Sequence, residues 1–257
     1  MIRSLGVENV AGYVTELWCG AAGYRVPDDY PAQIRAMTER LGILWIDDEV
    51  IAGMGRTGRW WAFQHYGVEP DIVCTAKGLT SAAVPGGATI LSKPLAAFFT
   101  SGRLASYSTF SGHPLTAAAA AATLEAMIEE RTVQRVAEMG DWFEERLRTL
   151  AARHSCVAAV RGRGLAWALD LVKDPATGEL WVPEDRWWTP DTDPEPALWP
   201  GRFIAEECER HGVLLLNFVP NSVTINPPFV ASREELTVGL DALDAALGQL
   251  EMETAKT

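Results

Sequence analysis

The chain has 257 residues, of which 48% are hydrophobic and 22% charged. That composition excludes an intrinsically disordered protein and fits one large or two modest globular domains. Its 34 acidic and 22 basic residues leave a net charge of −12, which argues against a nucleic-acid groove or an anionic membrane surface, since both need clustered Lys and Arg.

Along the chain, short apolar runs alternate with helical patterns. Val10–Thr15 reads as a strand and Pro31–Leu41 as a helix, with Pro31 in the permitted first turn. Ile43–Ile46, Ile72–Thr75 and Ala88–Leu91 are short apolar runs suited to buried strands. The alternation predicts a mostly parallel sheet covered by helices, an α/β fold. Leu115–Ile128 is alanine-rich and helical, and Val133–Arg153 follows as a long helix. The character then changes. Val157–Arg161 and Leu165–Val172 read as strands around a Gly-rich turn, and Lys173–Pro200, rich in Pro, Asp and Trp, as an irregular excursion. Phe203–Arg210 reads as a helix, Val213–Leu216 and Val223–Ile225 as strands, and Arg233–Leu250 as a closing helix whose start, Ser232 to Glu235, fits a capping box. The expected domains are therefore 1–145, α/β, and 146–257, a smaller α+β unit.

Cys19, Cys74, Cys156 and Cys208 are widely spaced with no CxxC pair, as expected of free thiols in a reducing compartment. No run approaches the roughly 18 apolar residues of a membrane span, and Met1 to Gly12 lacks the order of a signal peptide. A cytoplasmic protein is expected. The histidines show no metal-ligand spacing, and no metal site is expected.

Three segments carry chemistry. Asp48-Glu49-Val50 ends an apolar run and leads into Gly53-Met-Gly-Arg-Thr-Gly58; strand ends of this kind gather ligands in parallel sheets, although a solvated turn would look the same. Lys77 ends the next run, in Asp71-Ile-Val-Cys-Thr-Ala-Lys77-Gly. There partial desolvation would favour a neutral, nucleophilic amine; the alternative is a surface lysine. Tyr107-Ser-Thr109-Phe-Ser-Gly112-His113-Pro114 leads into the alanine-rich helix, a setting that suits a phosphate or a plain capped turn.

Together these segments resemble class III pyridoxal-phosphate-dependent aminotransferases, most nearly the ω-amino acid and amine–pyruvate type. The resemblance extends from Val10–Glu16 to Ile225-Asn-Pro227-Pro228-Phe229 and the closing helix. It implies the fold type I architecture of pyridoxal-phosphate enzymes and a homodimer. It implies that Lys77 bonds the aldehyde of pyridoxal 5'-phosphate and moves protons, and that Asp48 faces the ring nitrogen. Val50 would pack on the ring, Thr109 would reach the phosphate from the neighbouring subunit, and Glu16 would lie near the ring hydroxyl. Transamination between an amine or ω-amino acid and a keto acid such as pyruvate is the implied reaction.

The sequence also departs from the family. Family chains are far longer and carry the lysine past their middle; here it is residue 77. The family's N-terminal part, with its main phosphate turn and ring-stacking aromatic, finds no match. The expectation is a truncated or split form, partnered by a chain that supplies that half. The alternatives are an inactive subunit that binds a full-length relative, or another enzyme of the same cofactor: an epimerase, aminomutase or decarboxylase. Asn217 falls where the amine–pyruvate type commonly carries an arginine for the acceptor's carboxylate, so Asn217 is the substrate-binding candidate. Ala21 occupies the family's glutamate-switch position. Arg163 reads as part of a structural turn. The tryptophans of the excursion, Trp181, Trp187, Trp188 and Trp199, read as packing, with an apolar wall as the alternative.

Overall fold

Apolar runs flanked by glycine and by strand-end polar residues build the first sheet in this computed structural model, which describes residues 2–100, 108–183, 199–217 and 219–255. The chain divides into two compact units, Met1–Trp18 with Val26–Gln134, and Cys19–Arg25 with Arg135–Thr257. The division at 134/135 falls close to the start of the long helix inside which the sequence placed it, at residue 145.

The first unit opens with a single turn, α1 (Ile2–Leu5), followed by β1 (Gly12–Thr15). A short hairpin, β2 (Trp18–Cys19) and β3 (Tyr24–Arg25), precedes α2 (Tyr30–Leu41), which Gly42 terminates in the left-handed conformation. Strands β4 (Leu44–Asp48), β5 (Ile72–Thr75) and β6 (Ala88–Leu91) complete a sheet in the order β1-β4-β5-β6. The β1–β4 and β4–β5 pairs are parallel, with Thr15 opposite Asp47 and Asp48 opposite Cys74. Strand β6 is antiparallel to β5. The one regular element between them is the 3-10 turn Lys77–Thr80; no helix intervenes to carry the crossover of a parallel connection. Asp71 ties the unit together: its Oδ2 accepts from the Trp45 backbone N at 2.8 Å and from Arg35 Nη1 of α2 at 3.1 Å.

Helices α3 (Lys93–Thr100) and α4 (Pro114–Glu129) close this unit. Both are apolar around most of their circumference, a pattern that belongs inside a protein. Yet α3 buries no residue and α4 buries only Met127. Phe98, Phe110, Leu115, Ile128, Ile90 on β6 and Val14 on β1 are all exposed. Two sheet edges and two apolar helices are thus uncovered among the described residues.

The second unit is built on α5 (Thr132–Ala151), β7 (Val157–Arg163), β8 (Ala166–Leu171), α6 (Pro200–Arg210), β9 (Ser222–Ile225) and α7 (Arg233–Thr254). Its antiparallel sheet has the order β7-β8-β9. Leu165, Trp167, Leu169 and Leu171, spaced by two, join Leu147 of α5, Ile204 of α6 and Leu247 of α7 in one core. On the other face, Ala168 leaves room for Gly23. Arg161 donates to the Gly23 carbonyl at 2.7 Å, stacks on Tyr24 and is ion-paired to Asp170. This explains why residues 19–25 belong to the second unit. Gly164 turns the β7–β8 hairpin at φ 59°, and a Cβ on Gly140 would come within 2.5 Å of it, so both positions need glycine. Ser232 and Glu235 form the expected capping box at α7.

Val213–Leu216 does not form the expected strand. Leu214 and Leu216 are exposed, and the Leu216 carbonyl takes a hydrogen bond from the Thr224 hydroxyl at 3.1 Å rather than from a strand ladder. Of the excursion, Trp181 packs against the core, whereas Trp187 and Trp188 lie outside the described residues. The four cysteines are free. Burial pushes the Cys156 thiol up to about 12 with help from the Glu251 charge, and burial pushes Cys208 up to about 11; such thiols are unreactive. No helix among the described residues is long and apolar enough to cross a membrane.

His154, nearly buried, lies between Asp244 Oδ1 at 2.8 Å and Glu251 Oε2 at 3.1 Å, joining the end of α5 to α7. Burial raises the Glu251 carboxyl. Its hydrogen bonds with His154, the Cys156 backbone N and the Ser155 hydroxyl outweigh that, and the net shift is below the ordinary 4.5. The unfolded chain lacks these bonds, so this stabilisation is present above about pH 4.5 and is lost as pH falls through the lowered folded value. Denaturant titrations between pH 3 and 7 should therefore show a shallower acid limb for Glu251→Gln than for the unaltered chain. Coincident limbs would refute the assignment.

Candidate active site

Three consecutive strands, β1, β4 and β5, run parallel and end on the same side of the first unit's sheet. Glu16 follows β1, Asp48 closes β4, and Lys77 stands two residues beyond β5. Adjacent strands lie about 4.8 Å apart, so the sheet itself carries an amine and two carboxylates to one rim. Val50 follows Asp48 in a tight turn, and its backbone N donates to Asp48 Oδ1 at 3.0 Å. This bond fixes the Asp48 carboxylate against the chain that follows it. The fold thus brings Glu16, Asp48, Val50 and Lys77 to one sheet rim.

Lys77 has φ 38°, in the left-handed region that non-glycine residues avoid. Local constraints account for this backbone. Gly78 packs on Met54, whose Cβ would lie 2.9 Å from a Cβ added there. The Gly53–Gly58 turn itself contains Met54, Gly55 and Gly58 at positive φ. Gly53 is required because a Cβ there would approach the Glu49 carbonyl oxygen to 2.6 Å. The desolvation expected around Lys77 is not found: its side chain is exposed, because it extends past the strand end into a region no described residue covers.

Thr109 sits in the exposed turn before α4, where Gly112 has φ 69°. The helix start is capped locally, with His113 Nδ1 accepting from the Leu115 backbone N at 3.2 Å. The Thr116 hydroxyl donates to the Pro85 carbonyl at 3.2 Å, holding α4 beside the segment that follows Lys77. Asn217 belongs to the second unit. Its Oδ1 accepts from the Val219 backbone N at 3.3 Å, and it lines a pocket of about 380 Å³ with Trp199, Arg202 and Leu214. Among the described residues no group of three metal-ligating side chains gathers.

Sequence reasoning missed Asp47. Asp47 and Glu49 alternate with Asp48 and point to the opposite face of β4, where they are 0% and 1% exposed. Burial pushes the Asp47 carboxyl up to about 9, reinforced by the charge of Glu49 and its hydrogen bond, and by the charges of Asp48 and Glu16. Burial also raises Glu49, opposed by the backbone N–H groups of Ala62 and Phe63. The signal available was the period of two: Trp45 is an interior residue, so Asp47 and Glu49 share its face. Arg56, in the same turn, is brought down to about 10 by burial.

The family described as Aminotransferase class-III matches residues 1–247. The putrescine–pyruvate aminotransferase of Pseudomonas aeruginosa is 35% identical over 238 residues, covering 91% of this chain and 49% of that protein. The crystal structure of an S-selective transaminase from Arthrobacter sp. superposes with a TM-score of 0.92 at 39% identity, over 98% of this chain and 54% of that one. A taurine:2-oxoglutarate aminotransferase from Bifidobacterium kashiwanohense, in complex with PLP and glutamate, gives a TM-score of 0.89 at 31% identity, over 98% and 54%. The chain thus spans about half the length of the relatives it matches.

Proposed function

The chain belongs to the class III aminotransferases, a pyridoxal-phosphate-dependent family with the fold type I architecture, and on that premise we propose that it carries the lysine-bearing part of an enzyme that moves an amino group from an amine or ω-amino acid to a keto acid such as pyruvate. The observation that supports this most is the placement of Lys77 and Asp48 at the ends of adjacent parallel strands. The donor set fits the cofactor. Lys77 offers an amine for its aldehyde, Asp48 a fixed carboxylate for its ring nitrogen, Val50 an apolar surface for its ring, and Glu16 a second polar group at the same rim. Thr109 offers a hydroxyl for its phosphate.

When bound, pyridoxal phosphate supplies an aldehyde that accepts amino groups and a protonated ring that draws electrons from carbon. The chain's own residues do the rest. Lys77 Nζ takes a proton from the donor's carbon and later returns one, as a general base and acid. Asp48 holds a proton on the ring nitrogen by its negative charge, and the Val50 N–H keeps that carboxylate from rotating away. Asn217, in the second unit, offers a neutral amide for a carboxylate, without the bidentate charge of an arginine.

The uncovered apolar helices and sheet edges of the first unit support association, either as a homodimer in which Thr109 serves the neighbouring subunit or with a polypeptide that completes this domain. The working place is the cytoplasm. Borohydride reduction of the chain equilibrated with pyridoxal phosphate, followed by peptide mass spectrometry, should place the adduct on the Lys77 peptide. An adduct spread evenly over Lys77, Lys93 and Lys173 would sink the reading.

A further inference from the structure

Asp47 and Glu49 present a problem that two ionised carboxylates cannot solve. They lie side by side on the inner face of β4, essentially without solvent exposure, within hydrogen-bonding reach of each other. Glu49 Oε1 accepts from the Phe63 backbone N at 3.1 Å. The other three oxygens, both of Asp47 and Oε2 of Glu49, have no donor among the described residues. Among the described residues, the titratable groups that act on the pair are Asp48 on the same strand, Glu16 after β1 and Cys74 on β5, and none of these is a cation. A buried carboxylate without donor or counter-ion is prohibitively costly. One shared proton removes the difficulty, because a protonated carboxyl gains an O–H donor. Glu49 already has a backbone donor, which favours its ionised form, so the proton belongs on Asp47.

We propose that Asp47 is a neutral acid donating its O–H to Glu49, and that this one-proton pair is the positioning element that holds Asp48 at the end of β4. Asp48 lies between the two in sequence and points to the other face. Locking both flanking side chains fixes the backbone from which Asp48 projects. Keeping Asp47 neutral also leaves Asp48 with one adjacent negative charge, that of Glu49, instead of two. The pair's value to the cofactor's ring nitrogen rests on the function proposed above; the pair itself does not, and its test uses the chain without cofactor.

The infrared spectrum of the unaltered chain should contain a protonated-carboxyl C=O band at pH 7 that disappears as pH rises through about 9; Asp47→Asn should lack it. The stability profiles should differ as well. The folded value lies above the unfolded 3.8, so the folded chain holds the extra proton and Asp47's contribution declines as pH rises from about 4 to 9. Asp47→Asn keeps a donor toward Glu49 and does not titrate. The unfolding constant of the unaltered chain should therefore rise relative to that of Asp47→Asn, by up to about tenfold per pH unit between pH 5 and 8. Asp47→Ala leaves Glu49 Oε2 without a donor. It should speed amide exchange at Val50, whose N–H bonds Asp48, while Asp47→Asn should not. Absence of the infrared band, parallel pH profiles, or equal Val50 exchange in the two variants would each overturn the proposal. The infrared measurement stands even if a variant fails to fold.

Discussion

Lys77→Ala is expected to lower amine-to-keto-acid transfer by at least about 10⁴-fold in any assembly of this chain that turns over. That figure is the upper end of what one positioned proton-transfer group contributes, and the proposed function asks more of Lys77 than that, a bond from its amine to the cofactor as well. Lys77→Arg should not restore activity, because a guanidinium stays protonated and cannot act as nucleophile or base at neutral pH. Folding should survive either change, because Lys77 is exposed. Neither change alters the backbone strain at φ 38°, because alanine and arginine both keep the Cβ that causes it. Steady-state transfer from a diamine to pyruvate, with circular dichroism as the folding control, is the measurement. Residual activity within tenfold of the unaltered assembly would remove Lys77 from the chemistry.

The same residue shows what a sequence conveys and what it does not. The strands that position Lys77 and Asp48 were legible because Ile43–Ile46 and Ile72–Thr75 are apolar runs that stop at polar residues, and strand ends are where a parallel sheet collects its ligands. The environment of Lys77 was not legible. Desolvation depends on what packs over the strand end, and that is a property of distant chain. The short run Val213–Leu216 misled for a related reason. Its leucines are apolar yet exposed, so their hydrophobicity marks a surface rather than a strand. The allocation of Cys19–Arg25 to the second unit depends on Gly23 meeting Ala168 and Arg161, partners more than a hundred residues away; no local pattern encodes such a contact. Asp47 was hidden by its neighbours. In Asp47-Asp48-Glu49, composition treats three carboxylates alike, and only the pleat separates the two that turn inward from the one that faces the site.

The second large effect concerns stability. Trp167→Ala is expected to destabilise the second unit by about 3–5 kcal/mol, the usual cost of emptying an aromatic side chain's volume in a packed core. Trp167 is 1% exposed and lies at the centre of the three-stranded sheet, paired with Gly162 on β7 and Ile225 on β9. Its ring covers Gly162, where no side chain would fit beneath it. The surrounding core, Leu147, Leu169, Ile204 and Leu247, comes from three helices and the same strand, so collapse into the void would require several elements to shift together. The indole also donates from Nε1 to the Gly164 carbonyl at 2.6 Å, steadying the turn that lies against Gly140. Trp167→Phe separates the two contributions. It keeps most of the volume and loses the donor, and should cost about 1–2 kcal/mol, the scale of one net hydrogen bond plus a small packing defect. Urea unfolding followed by far-ultraviolet circular dichroism, with amide exchange of the β8 backbone to localise the loss, measures both. A cost below about 1 kcal/mol for the alanine variant would mean that this core closes over the gap and is not rigid.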